Sequence, residues 1–528
     1  MGAANQTDPT TETTERSPFA ACHETHIGVV FLVGDRAYKL KKPVRTGFLD
    51  FTTRSARLAA CRREVELNRR LAPDVYLGVS DISDPVTGGP ADHLVVMRRM
   101  PARRRLSTLV SAGEPVSDAL RALARRLAAF HARAERGPAI SAAATASATR
   151  GRWLATLERL ERFRGRPLDE AVYDDLARLA PRFTAGREPL FAARCAAGRA
   201  VDGHGDLLAD DIFCLPDGPR ALDCLEFDDG LRHVDGLDDA AFLAMDLERL
   251  GRADLGARFL DDYAEFAGDP APASLRHHYV AYRACVRTLV NCLKAEQGNA
   301  EAQALVGRHA DLSARHLHRG AVRLALVGGL PGTGKSTLAG ALADRMGAVL
   351  ISSDRLRKEQ AGLDPNHPAR ATYRHGLYAT ANTDGTYAEL VHHAEQALRF
   401  GEHVVLDASW TSARHRALAT DLAERTHAEL IELRCDAPHA VAARRILHRR
   451  RGPSDATLAV ASAMERDADP WPDAVVIDTT RTPTDSLALG ARAWEDATRD
   501  DDRRNWPART AGTGPCLTSA GPTPFSGG

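Results

Sequence analysis

The sequence predicts two units of different fold class, an α+β unit followed by an α/β unit. Three observations predict this. The chain has 528 residues, too many for one hydrophobic core. Near the amino terminus, short apolar runs and turns give way to long stretches of helical periodicity. From Val322 onward, short apolar runs alternate with helical stretches, the pattern of a parallel sheet with helices on both faces. A content of 44% hydrophobic and 27% charged residues suits a soluble globular chain.

The elements follow in order. Residues 1–17 and 499–528 are polar or rich in Gly, Pro, Ser and Thr, and read as disordered tails. Ile27 to Leu32 and Ala37 to Leu40 are strand candidates flanking the turn Val33-Gly34-Asp35-Arg36. A helix candidate runs from Ser55 to Leu71, and a strand from His93 to Met97. The pattern is then helical over Val116–Arg136, Arg152–Arg164, Leu168–Leu179, Asp238–Leu250, Ala253–Phe266 and Leu275–Ala295. Ala139 to Thr149 reads as a low-complexity surface loop, and Gln297 to His318 as a helical bridge. The layout is a small β-rich lobe and a larger helical lobe over residues 18–318. Strand candidates Val322–Val327, Ala348–Ile351, His403–Leu406, Ala428–Leu433 and Ala474–Ile477 then build a second domain over 319–498. Its ligand is expected at the carboxyl ends of the strands.

Composition excludes some classes and narrows others. The 70 basic and 70 acidic residues cancel, so no global field draws the chain to nucleic acid or membrane. No run of about 18 uncharged apolar residues suggests a transmembrane helix, and Met1 to Pro18 lacks the apolar stretch of a secretory signal. The nine cysteines form no C-x-x-C pair. Free thiols in a reducing cytoplasm are therefore expected, rather than zinc or disulfides. Lysine is scarce: Lys39, Lys41, Lys42, Lys294, Lys335 and Lys358 stand against 64 arginines. Where Arg replaces Lys almost everywhere, a surviving lysine marks a place that needs a compact ammonium.

One of those lysines closes the most specific motif. Gly329-Leu330-Pro331-Gly332-Thr333-Gly334-Lys335-Ser336 follows an apolar strand and leads into the helix opened by Thr337. Strand, glycine loop and helix make G-x-x-x-x-G-K-S a phosphate-binding loop. Its N–H groups curl around phosphate oxygens at a helix N-terminus. Lys335 is expected on the β and γ phosphates of ATP, and Ser336 on Mg²⁺. Downstream, Asp354 and Arg357 in Ser352-Ser353-Asp354-Arg355-Leu356-Arg357 have the spacing of the acceptor-activating Asp and Arg of polynucleotide-kinase-like and zeta-toxin-like phosphotransferases, which this domain resembles. An N-cap role for Asp354 is the competing reading. Val404-Val405-Leu406-Asp407 resembles a strand ending in a Mg²⁺-binding acid. Arg445 and Arg449, ahead of Gly452-Pro453-Ser454-Asp455, resemble lid arginines that fold over phosphates. Which of Arg444, Arg445, Arg449 and Arg450 face inward stays open. The resemblance implies an AAA-type P-loop kinase, and no AAA+ sensor residues of a ring motor are evident.

The first domain carries a second constellation. His204-Gly205-Asp206-Leu207-Leu208-Ala209-Asp210-Asp211 resembles the H-G-D-x-x-x-x-N catalytic loop of the aminoglycoside phosphotransferase (APH) and choline-kinase group. The resemblance implies a protein-kinase-like bilobal fold. It makes Asp206 the base for an acceptor hydroxyl and puts Asp211, where the group has Asn, on Mg²⁺. Asp223, with Glu226 and Asp228 as alternates, is the second metal acid. Lys39 in Arg36-Ala37-Tyr38-Lys39 is the phosphate-pairing lysine, with Lys41 next on the same face, and Glu64 is its partner, with Glu66 second. A glycine-rich loop before that strand is missing. Together with Ala37 to Val44, Arg63 to Leu77 and Leu222 to Asp228, these motifs resemble a group of bacterial proteins that fuse an APH-like domain to a P-loop kinase. That implies a bifunctional ATP-dependent phosphotransferase acting on small-molecule hydroxyl acceptors. An ATP-binding regulatory protein and a nucleic-acid end kinase are the alternatives. The sequence names no acceptor and no oligomeric state.

Overall fold

Alternation sends successive side chains to opposite faces of a strand, and Gly34, left-handed at φ 57°, turns one strand back on the next. The computed structural model describes residues 18–24, 27–45, 50–364, 372–448 and 454–497. Five strands form its first sheet: β1 (Ala20–Glu24), β2 (Gly28–Val33), β3 (Arg36–Lys41), β4 (Tyr76–Ser83) and β5 (Pro90–Arg98). They pair antiparallel in the order β1-β2-β3-β5-β4. The helix Arg54–Asn68 starts at Thr53, whose hydroxyl accepts from the Ala56 N–H. It packs Cys61 and Val65 against Ala37, Val95 and Met97 of the sheet.

The larger lobe is helical, as its periodicity requires. Two short hairpins interrupt it. β6 (Ala200–Asp202) pairs with β9 (His233–Asp235), and β7 (Ile212–Leu215) with β8 (Gly218–Ala221). The first pair frames the segment 203–232, and the second lies within it. Helix Gly236–Arg249 lies behind that segment, and helix Ala273–Glu296 packs on it. Helix Ala300–Gly320, capped by Asn299, folds back along Ala273–Glu296 and runs into the second sheet.

That sheet is wholly parallel, with strands β10 (Arg323–Gly328), β11 (Val349–Ser352), β12 (Val404–Asp407), β13 (Glu429–Asp436) and β14 (Val475–Asp478) in the order β11-β12-β10-β13-β14. Leu324 to Val327 are fully buried on the central strand, which is why that stretch reads as an unbroken apolar run. The fold is thus an α+β bilobal domain followed by a P-loop domain with a flanked parallel sheet.

The sequence reading differs from the structure at several places. Ala139–Thr149 is not a surface loop. It forms helix Pro138–Ala143 and the start of helix Ala146–Glu161, with Thr145 as the N-cap, and Ile140, Ala144, Ala146 and Thr149 are buried. Low complexity there is alanine, the strongest helix former. Strands β1 and β4 went unread because their short runs mix polar and apolar residues without clean alternation. The two tails lie outside the described residues. Among the described residues all eight cysteines are free, and no helix is long and apolar enough to cross a membrane.

Candidate active sites

The first site lies between the small sheet and the segment 203–232. β3 places Lys39 and Lys41 on one face, and both reach Glu64 on helix Arg54–Asn68. Lys39 Nζ lies 3.0 Å from Glu64 and 2.6 Å from Asp223. Lys41 Nζ lies 2.8 Å from Glu64 and 2.5 Å from Glu226. Lys39, Glu64 and Asp223, each singled out by sequence, are therefore brought together, and Lys41 and Glu226 join them. Glu66 is exposed and pairs with Arg63 at 3.0 Å, so it points away. Asp228 accepts from the Gly230 N–H at 2.9 Å and organises its own turn. Asp223 is held left-handed at φ 63°, which a non-glycine residue adopts only under local constraint. Its N–H donates to the Tyr76 hydroxyl at 3.1 Å.

The loop His204–Asp211 is anchored from below by carboxylates that sequence reasoning missed. Asp239 accepts the N–H groups of His204 and Gly205, both at 2.8 Å, and the His131 ring at 2.9 Å. Asp246 accepts the Ala209 N–H at 2.9 Å. The signal was present: two acids seven residues apart in the apolar helix Gly236–Arg249 must be satisfied from inside. His204 donates Nε2–H to the Leu222 carbonyl at 3.1 Å and stays neutral because burial lowers its pKa. Asp206 sits half-buried at the centre. Burial pushes its carboxyl up to about 6, while the Arg287 guanidinium pulls it down. Burial also raises Asp211 well above the carboxylate range, and the Asp223 and Asp206 charges add to it. Asp211 and Asp223 are oxygen donors of the kind a hard divalent cation takes. Among the described residues no group of three or more His, Cys, Asp or Glu is arranged to hold a metal by itself. Mg²⁺ asks only one or two carboxylates beside phosphate oxygens.

The second site forms at the carboxyl edge of the parallel sheet. Gly329, Gly332 and Gly334 have φ of 134°, 84° and 92°, open to glycine alone without strain. A Cβ at Gly332 would lie 2.5 Å from the Ala442 carbonyl oxygen. Thr333 donates its hydroxyl to the Leu330 carbonyl at 2.8 Å, closing the loop over Pro331. Lys335, Ser336 and Thr337 open helix Lys335–Met346. In register with Ser352 on β11, Asp407 ends β12. Burial raises its pKa, opposed by the Lys335 charge and by a hydrogen bond from Ser336. The facing ammonium, hydroxyl and carboxylate fit a metal-bound triphosphate.

Arg445 docks on the same loop. It donates to the Thr479 carbonyl at 2.7 Å and to the Gly332 carbonyl at 3.4 Å. Arg444 is exposed, so Arg445 is the inward one of the two. Arg449 and Arg450 lie outside the described residues. Asp354 is not an N-cap: it sits in the first turn of helix Ser353–Gln360, which Ser352 precedes. It accepts from Arg357 at 3.1 Å. Lys335, Asp354, Arg357 and Asp407 line one wall of a cavity of about 410 Å³. Its other walls hold residues that the sequence did not reveal. Asp384 accepts from His415 at 2.7 Å, and His415 stacks on Tyr387 at 4.0 Å. Asp455 also lines the cavity and pairs with the buried Lys358, one of the six lysines, at 2.9 Å.

The fold and the two sites define the class: a bilobal α+β domain joined to a P-loop NTPase domain. A family model described as an AAA domain matches residues 324–471. Two curated relatives, Uncharacterized protein Rv2004c of Mycobacterium tuberculosis and Uncharacterized protein Mb2027c of Mycobacterium bovis, are each 46% identical over 482 residues, spanning 91% of this chain and 96% of the relative. The chain belongs to one family with these mycobacterial proteins. Similar solved structures include a choline/ethanolamine kinase family protein from Mesorhizobium loti, 16% identical, covering 58% of this chain and 92% of that one at a TM-score of 0.37. A gluconokinase from Sinorhizobium meliloti is 18% identical, covering 35% of this chain and 98% of that one at a TM-score of 0.26. The APS kinase CysC of Mycobacterium tuberculosis is 20% identical, covering 33% and 98% at a TM-score of 0.26.

Proposed function

We propose that the chain is a bifunctional ATP-dependent phosphotransferase. Residues 18–318 and 319–498 would each transfer the γ-phosphoryl of ATP to a hydroxyl of a small-molecule acceptor in the cytoplasm. The observation that carries this reading is a shared arrangement. At the first site the Asp206 carboxyl lies in the field of Asp223, which Lys39 contacts, and at the second Asp354 shares a cavity with Lys335 and Asp407.

In the first site Asp206 takes the acceptor proton as the hydroxyl oxygen attacks phosphorus. Lys39, aligned by Glu64, holds the phosphates, while Asp211 and Asp223 would hold Mg²⁺. In the second, Asp354 takes the proton and Arg357 orients it. Gly329 to Thr337 cradle the phosphates, with Lys335 on the terminal ones and Ser336 and Asp407 toward Mg²⁺. Arg445, with Arg449, covers the phosphates and excludes water. When bound, Mg²⁺ neutralises charge on the transferring phosphoryl group.

The test is an ATP-consumption screen of the full chain against hydroxyl metabolites. Asp206→Ala is expected to abolish one set of activities, and Lys335→Ala or Asp354→Ala another. Joint loss of both sets in a single variant would defeat the two-site reading. One observation favours a second reading for the first site, an ATP-binding regulatory domain that turns over slowly. Asp211 adds a carboxylate whose pKa is raised by burial and further by the Asp223 and Asp206 charges. Asp211→Asn accelerating turnover would support it.

A further inference from the structure

Glu64 is fully buried, and each of its carboxylate oxygens faces a different lysine. The two lysines are not equivalent. Lys39 is shared with Asp223, whose side chain is 48% exposed, so that pair sits at the mouth of the cleft. The Lys41 and Glu226 side chains, 1% and 7% exposed, close the back of the site, and the Phe51 ring lies 5.2 Å from the ammonium. Of the two ammonium groups, that of Lys39 is the one open to the cleft.

A site with one lysine would face a difficulty here. Once its lysine turned from Glu64 toward a phosphate, the carboxylate would be left buried and unpaired, and an uncompensated buried charge is strongly unfavourable. Lys41 removes that difficulty by keeping Glu64 paired while Lys39 moves. Glu226 adds a second consequence. It lies three residues after Asp223 on the large-lobe segment, so its pair with Lys41 on β3 ties the two lobes together behind the metal-binding acid. A compact ammonium bridging two carboxylates in so closed a space also accounts for lysine surviving at position 41 in a chain that otherwise uses arginine.

Resting on the phosphotransferase reading of the first domain, we propose that Lys41 and Glu226 are positioning residues. Lys41 holds Glu64 charged and in place so that Lys39 is free to engage phosphate, and Glu226 fixes Lys41 to the lobe that carries Asp223.

The test uses the full chain carrying Lys335→Ala, so that only the first site binds nucleotide. The probe is the fluorescent nucleotide mant-ATP with Mg²⁺. Lys41→Met is expected to weaken binding about tenfold, and Glu226→Gln about threefold, the scale of losing one partner of a buried pair in part. In a Lys39→Met background the same Lys41→Met change is expected to alter affinity less than about twofold, because its effect passes through Lys39. A merely structural role would give equal losses in both backgrounds, and that result overturns the proposal. So does Lys41→Met binding within about twofold of its parent. If Lys41→Met fails to fold, Glu226→Gln in the two backgrounds decides by the same criteria. No binding at all by the Lys335→Ala parent refutes the phosphotransferase reading of the first domain itself.

Discussion

Asp206 illustrates what one residue gives up for chemistry. Its carboxyl, pushed up to about 6 by burial, is a better proton acceptor near neutral pH than an ordinary aspartate. The sign of the pH effect follows. The base works when ionised, so first-site turnover is expected to plateau above about pH 7 and to fall on acidification through about 6. Arg287 favours the ionised form, so Arg287→Met should move the acid limb upward, read from the pH dependence of ATP consumption in a Lys335→Ala chain. The same shift bears on stability. The folded chain binds this proton more tightly than the unfolded one, so ionisation above the folded pKa works against folding. Asp206→Asn is therefore expected to be inactive at the first site yet more stable near pH 7.5, by up to about 3 kcal/mol for a shift of about two units. The gain should shrink as pH falls from about 6 to about 4. Calorimetry at pH 7.5 and 4.5 checks it; a gain that is equal at both, or absent, would show that Asp206 is not strained by its surroundings.

At the scale of elements, the phosphate loop shows how tightly local backbone fixes a motif. Gly332 is left-handed, and an added Cβ would press on the Ala442 carbonyl in helix His439–Leu447, the helix that carries Arg445. Gly332→Ala should thus distort the loop and displace Arg445 together. It is expected to lower nucleotide affinity at the second site at least about tenfold through combined strain and clash. Titration in a Lys39→Met background, which weakens phosphate binding at the first site, reads this, and near-normal affinity would mean the loop relaxes freely. This tightness also explains what was legible in sequence. The loop Gly329–Ser336, the pair Asp354 and Arg357, the strand ending in Asp407 and the His204–Asp206 turn are each set by a few neighbouring residues, so type and spacing reveal them. Lys41 with Glu226, 185 positions apart, and His204 with Asp239, 35 apart, depend on how distant elements pack. Lys358 with Asp455 is of the same kind. No local pattern encodes those meetings, although a lysine retained among arginines and acids inside an apolar helix marked three of the participants.

Across the whole molecule, the two domains share one interior. A single apolar core runs from Phe191, Leu275 and Tyr279 of the first through Leu312 and Val322 to Leu326, Leu398 and Val404 of the second. Polar contacts seal the junction. Arg187, fully buried, donates to the Thr426 carbonyl at 2.5 Å. Arg182 pairs with Glu429 at 3.2 Å, and the Ser274 hydroxyl donates to the Gly401 carbonyl at 2.6 Å. At Gly186 the fit admits no side chain, since a Cβ would stand 2.1 Å from the Thr426 carbonyl oxygen. The backbone there, at φ −92°, is open to any residue, so Gly186→Ala tests the interface alone. Relieving the clash requires backbone of one domain to move off the other, at a cost of about 1–3 kcal/mol, the range for overpacking. Domains joined by a thin, polar contact would unfold separately and tolerate the change. Domains sharing a core should unfold as one cooperative unit, and the variant should lower that transition while both sites still bind nucleotide at low temperature. Calorimetry of the full chain decides. Two separate transitions in the parent, with neither moved by Gly186→Ala, would show that the junction is only a contact between independent modules.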